Sequence, residues 1–148
     1  MDSKSIVQAL TDAIQKGEFE HAKSRLADDF QFSGPITKSV GADAWLRMGM
    51  SLKKAFPNIE YHFRLESVQS GGVVKISSEL KGTHKGDLDL TSMNMGVIPA
   101  TNKSFAAERE HGKITIKGDK VASWDMEPTE GAGLAAILAL LNVELPIM

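Results

Sequence analysis

The chain contains no cysteine. That absence excludes disulfides, thiolate zinc sites, iron–sulfur clusters and a thiol nucleophile together. An excess of charge of one sign is also lacking. Seventeen basic and 19 acidic side chains leave a net charge of −2 and a sequence pI near 6.1. Without a basic field to gather phosphates, nucleic acid is not an expected partner. The most apolar stretch, residues 131–141, falls well short of the ~20 residues that a membrane-spanning helix needs, so no membrane partner is expected. Met1-Asp2-Ser3-Lys4 leads into an amphipathic stretch rather than a basic region and an unbroken apolar core. A cytoplasmic location is therefore the expectation.

Familiar motifs are missing too. There is no GxxxxGK[ST] phosphate loop, no HExxH zinc helix and no GxSxG nucleophile elbow. Gly131-Ala132-Gly133-Leu134-Ala135-Ala136 fits a GxGxxA dinucleotide pattern, but a second strand and a ribose-binding acid ~20 positions on do not follow it. The four histidines, His21, His62, His84 and His111, include no i,i+4 pair. No bound metal is expected. What is present is an ordinary globular balance, 42% hydrophobic over 148 residues, enough for one domain, residues 1–148, with a buried core.

The first half reads as helices. Ile6, Leu10, Ala13 and Ile14 recur at helical spacing after Ser3 or Ser5 as cap, and Gly17 breaks the run. Phe19, Ala22 and Leu26 continue on a shorter helix, and Asp29 to Phe32 is a brief extended segment. A third helix runs from Gly41 to Phe56 with an apolar stripe of Trp45, Met48, Leu52 and Phe56, and Pro57 stops it. From Ile59 the period becomes two: Ile59, Tyr61, Phe63 and Leu65 alternate with polar residues, as in a half-buried strand. Ser70-Gly71-Gly72 is a turn before a strand from Val73 to Leu80. The aperiodic loop from Asp87 to Asn102 carries Met93 and Met95 among other apolar residues, so it must cover something. Ser104 to Ile116 and Val121 to Glu127 form a hairpin, and Gly131 to Leu141 an apolar helix. Helices first and antiparallel strands after is an α+β order. Helices laid across one curved sheet leave a tapering pocket for a small molecule.

The hairpin carries the chemistry. With Gly118-Asp119 as a two-residue turn, Ile116 faces Val121, Ile114 faces Ser123, Gly112 faces Asp125 and Glu110 faces Glu127. One sheet face then holds Ile114, Ile116, Val121, Ser123, Asp125, Glu110 and Glu127, while His111, Arg109 and Trp124 take the other. Asp125 becomes a carboxyl on an apolar wall beside like charges, both of which raise its pKa and suit it to proton transfer near neutrality. A solvated sheet end is the alternative. A single β-bulge would bring His111 and Arg109 onto the Asp125 face. Asp125, Glu110 and His111 are thus the candidate catalytic residues. Trp45, Met48, Tyr61, Phe63, Met93, Met95 and Ser123 are the candidate ligand contacts.

Five segments together resemble the SnoaL-like polyketide cyclase branch of the NTF2-like superfamily. They are Leu26-Ala27-Asp28-Asp29-Phe30, Lys54-Ala55-Phe56-Pro57-Asn58, Gly82-Thr83-His84-Lys85-Gly86, Ile98-Pro99-Ala100-Thr101-Asn102-Lys103 and Val121-Ala122-Ser123-Trp124-Asp125. The resemblance implies a cone of N-terminal helices packed on a strongly bent, mainly antiparallel sheet with a C-terminal helix, usually as a homodimer. It also implies acid/base chemistry without metal or cofactor on an apolar carbonyl compound, by a cyclase, isomerase or dehydratase, with Asp125 as proton carrier. Family members commonly carry histidines where this chain has Ser33 and Ser123. A non-catalytic ligand-binding module and a protein-association domain are the alternative functions on the same fold.

Overall fold

In this computed structural model, residues 2–34, 37–91, 96–129, 131 and 133–141 are described. Helix α1 (Ser3–Lys16) starts at Asp2, whose Oδ1 accepts the Ser5 N–H at 2.8 Å. Asp2 therefore takes the cap expected of Ser3 or Ser5, an interaction worth about 1 kcal/mol. Gly17 ends the helix at φ 77°, a left-handed conformation that glycine adopts without a steric penalty. The second helix, α2 (Phe19–Ser24), is shorter than its apolar spacing suggests: Leu26 already belongs to strand β1 (Leu26–Gly34). After β2 (Thr37–Val40), helix α3 (Ala42–Ala55) buries Trp45, Leu46, Leu52 and Ala55.

The Ile59–Leu65 segment keeps its alternating burial but is not one strand. Residues 59–61 are clamped to α1 by the Gln15 side chain, which donates to the Ile59 carbonyl at 3.0 Å and accepts the Tyr61 N–H at 2.9 Å. His62 then adopts φ 47°, and regular pairing begins only at β3 (Arg64–Gln69). Strands β4 (Val73–Ser78), β5 (Lys81–Thr83), β6 (Leu88–Asp89), β7 (Val97–Ile98), β8 (Ser104–Ala106), β9 (Glu110–Lys117) and β10 (Lys120–Met126) follow, with helix α4 (Gly133–Leu140) after them.

The main sheet has six strands in the order β2-β1-β10-β9-β4-β3. All its neighbours are antiparallel except β1 with β10, a parallel pairing between strands 92 residues apart at Ser33 and Asp125. Short pairs β5–β8 and β6–β7 stand beside it. Register shifts interrupt β1–β10, β1–β2, β10–β9 and β3–β4, and such irregularities bend and twist a sheet. Helix α1 crosses β3, β4 and β10, and α3 packs on β1 and β6. The helices thereby cover one face of the curved sheet, the mixed α+β arrangement expected. Helix α4 lies next to β8 with Ile137 and Leu138 buried.

Candidate active site on the core face of the sheet

The register decides which side chains meet. In β9, Ile116, Ile114, Gly112 and Glu110 share the face turned toward the helices; in β4, Val74, Ile76 and Ser78 lie beside them. The β9–β10 turn is the two-residue one expected, and Val121 does face Ile116. The next pair is Ser123 with Thr115, so Ala122 is an extra residue and a bulge. Beyond it the faces of β10 exchange relative to the sequence expectation. Trp124 stands opposite Ile114 and Met126 opposite Gly112 on the core face, whereas Ser123 and Asp125 turn to the outer face.

Asp125 is therefore not a carboxyl on the apolar wall. It lies half-buried on the outer face, opposite Lys113, with the Ser33 hydroxyl hydrogen-bonded to its Oδ1. The bulge brings it to the face of His111, as a shift of one residue must. His111 is exposed there, its Nδ1 3.0 Å from Glu66 Oε1. This histidine holds the Glu66 carboxyl below its usual range. Ser123 lies on the same outer face opposite Thr115 and Gln31, away from the helices. The signal for the bulge was present in the residues: Val121, Ala122, Trp124 and Met126 break period two by one step, and Val121 and Ala122 are both buried.

Glu110 keeps the face of Ile114 and Ile116 but not its expected partners: the bulge leaves Met126 opposite Gly112 and takes Asp125 to the other face. It begins β9 on the core face, half-buried, with the Ser78 hydroxyl 3.5 Å from its Oε1. Burial pushes its carboxyl above the ordinary value of 4.5, and the Ser78 hydrogen bond only partly opposes this. Farther along the same face, opposite Ile114, the core is aromatic. Trp124 packs on Trp45 at 5.3 Å and on Phe63 at 5.8 Å between ring centroids, and Tyr61 stacks on Phe63 at 5.0 Å with planes 5° apart. Met48 packs against the same core, so Trp45, Met48, Tyr61 and Phe63, the candidate ligand contacts, all belong to the packed hydrophobic core. Met93 and Met95 lie outside the described residues.

Four features escaped the sequence reading. Gly112, between Glu110 and Ile114, leaves no room for a side chain: a Cβ there would overlap the backbone carbonyl oxygen of Asp125 and sit 2.5 Å from the Met126 sulfur. The Trp124 indole N–H points at that sulfur at 3.0 Å. The hydroxyl of buried Tyr61 is held neutral by desolvation, far above its usual pKa, and makes no hydrogen bond with a described residue. His84 is 0% exposed. Its Nδ1 accepts the Thr101 N–H at 3.2 Å, its ring packs on Phe56, and burial pushes its pKa down, so it is a neutral structural imidazole.

The helices thus cover a sheet face that carries a packed aromatic cluster and, at the start of β9, the half-buried Glu110 carboxyl. The model of the SnoaL-like polyketide cyclase family matches residues 4–127. The chain belongs to that family. Solved structures agree on the NTF2-like fold. The chain is similar to a candidate polyketide cyclase from Xanthomonas campestris pv. campestris (TM-score 0.71, 12% identity, covering 94% of this chain and 96% of that one). It is also similar to a candidate SnoaL-like polyketide cyclase from Jannaschia sp. CCS1 (TM-score 0.69, 17% identity, 94% and 91%). A third likeness is to a protein with a ketosteroid isomerase-like fold from Catenulispora acidiphila DSM 44928, solved in complex with trimethylamine (TM-score 0.65, 16% identity, 94% and 93%). No curated protein matches the chain. No described helix of this SnoaL-like chain is long and apolar enough to cross a membrane.

Proposed function

We propose that the protein is a cofactor-independent acid/base enzyme acting on an apolar, carbonyl-bearing small molecule, with Glu110 rather than Asp125 or His111 as the proton carrier. The observation that carries this reading is the position of Glu110: a half-buried carboxyl, its pKa raised by burial, beside Ser78 on the face of β9 that also carries the buried Ile114 and Ile116. A carboxylate so desolvated is a stronger base than one in water and returns the proton readily near neutrality. Glu110 takes a proton from the carbon next to the substrate carbonyl. The resulting enolate either receives that proton at another carbon, an isomerisation, or closes on a second carbonyl whose new alkoxide takes the proton, a cyclisation. Neither course changes the oxidation state overall. Trp45, Met48 and Phe63 supply the apolar contacts, and the neutral Tyr61 hydroxyl donates to the carbonyl oxygen as negative charge grows there.

The test is a panel of polycyclic ketones in deuterated buffer. Wild-type protein introduces deuterium next to the carbonyl or converts the ketone, while Glu110→Gln binds the same ketone, read as quenching of tryptophan fluorescence, without doing either. Ketones that bind and are recovered unexchanged from wild type would instead identify a ligand-binding module.

The proposal extends to a cytoplasmic homodimer. On the outer face of the sheet, opposite the face that the described α1 and α3 cover, Lys113 and Lys75 stand directly opposite one another with Asp125 alongside. A second copy related by a two-fold axis would set each lysine pair against the other copy's carboxylate. Sedimentation reads this directly: a dimer that weakens on Lys113→Glu supports it, and a wild-type monomer rejects it.

A further inference from the structure

A concavity lies where α3 meets the β6–β7 pair. It encloses about 500 Å³, within the range of small-molecule sites. Its two walls follow from secondary-structure periodicity. On α3, Arg47, Met50 and Lys54 fall on one helix face opposite the buried Trp45, Leu52 and Ala55. On the other wall, Leu88 and Ile98 pair and point into the core, so the alternating neighbours Asp87, Asp89 and Val97 point outward into the groove.

The charges are sorted but unpaired. Arg47 and Lys54 are on the helix side, ~10 Å apart along the axis, and form no ion pair with a described residue. The aspartates are on the strand side. Thr91 donates to Asp89 Oδ1 through both its N–H, at 2.9 Å, and its hydroxyl, at 2.6 Å, and Ala100 N–H donates to Asp87 Oδ1 at 3.2 Å. These bonds fix the carboxylates on the strand wall and keep them from swinging across to the cations. The Thr91 bonds, with the Lys54 charge adding a little, hold the Asp89 carboxyl below its usual range. Between the walls lie Met50 and Val97, 43% and 49% exposed, two of the four large hydrophobic side chains left open to water among the described residues. Cations, an apolar floor and anions are therefore laid across one groove.

We propose that this groove binds a small aliphatic zwitterion, its carboxylate on Arg47 and Lys54, its primary ammonium on Asp87 and Asp89, and its methylenes over Met50 and Val97. Binding replaces two solvated, unpaired sets of charges with two short ion pairs and covers the apolar floor. The site is independent of Glu110 and of any reaction there.

The full-length ¹⁵N-labelled protein is titrated with 6-aminohexanoate, and separately with hexanoate and hexylamine, while amide shifts are followed. The zwitterion is expected to shift residues 47–54 and 87–89 and to bind about fivefold or more tightly than either singly charged compound, as an added exposed ion pair allows. Lys54→Gln should reduce its advantage over hexylamine and Asp89→Asn its advantage over hexanoate, with the melting temperature of each variant unchanged. Asparagine retains the oxygen that accepts from Thr91, so the strand wall survives. Equal affinity for all three compounds, absence of shifts at these residues, or shifts confined to the surroundings of Glu110 would overturn the proposal.

Discussion

The two faces of the six-stranded sheet carry similar carboxylates in opposite circumstances. On the core face Glu110 has the Ser78 hydroxyl beside it, and burial raises its pKa. On the outer face Asp125 has Ser33 beside it and Lys113 across from it, and His111 is paired with an exposed glutamate. A carboxylate's chemistry here is set by parity along the strand, and parity is set by one inserted residue, Ala122. A bulge that costs the ladder one pair moves an indole into the core and an acid out of it.

The largest effect that separates the faces is catalytic. Glu110→Gln should lower kcat by ~10²–10⁴-fold, the range for loss of a general acid or base, while Asp125→Asn should leave kcat at the wild-type level, both measured on a converted ketone. The reverse ranking would return the chemistry to the outer face. Next is packing. Trp124 contacts the rings of Trp45, Phe32 and Phe63, so Trp124→Ala should cost ~3–5 kcal/mol in denaturant unfolding. A substitution at exposed Lys113, its neighbour across the sheet from Asp125, should cost little. Gly112→Ala is disruptive too: its methyl group meets the Asp125 backbone carbonyl oxygen, which cannot swing aside, as well as the Met126 sulfur, and overpacking of this kind costs at least ~1–3 kcal/mol.

Much of this was legible in the residues. The helical stripe of α3, the period-two burial of 59–65, the β9–β10 turn and the position of Glu110 all follow from spacing, because burial is a local alternation that the chain itself records. Asp125 was misplaced because a bulge is one residue of backbone irregularity, stabilised by packing of Trp124 that only the folded neighbours supply. The parallel pairing of β1 with β10 was not legible either, since it joins residues distant in the chain through backbone hydrogen bonds, which carry no side-chain pattern. His84 shows the same limit: glycines around it mark a turn, but its burial against Phe56 depends on where α3 ends.

The smallest predicted effects concern stability and pH. The His111–Glu66 pair is exposed, so Glu66→Gln should change stability by less than about 1 kcal/mol. Glu110 acts with the opposite sign to an ion-paired acid. Its folded-state pKa lies above the unfolded value, so the folded protein binds the proton more tightly and stability falls as pH rises through the raised pKa. Glu110→Gln should therefore melt higher than wild type near pH 8, and the difference should close below about pH 4, where both folded and unfolded glutamate are protonated.

The proton affinity of Glu110 itself is the most direct test. Titration of the side-chain carboxyl carbon in ¹³C-glutamate-labelled protein, with the resonance assigned by its disappearance in Glu110→Gln, reads that affinity without any substrate. A midpoint clearly above the ordinary 4.5 is the predicted result. A midpoint at or below that value would mean that the core face leaves this acid fully hydrated, and the proton carrier would have to be sought elsewhere.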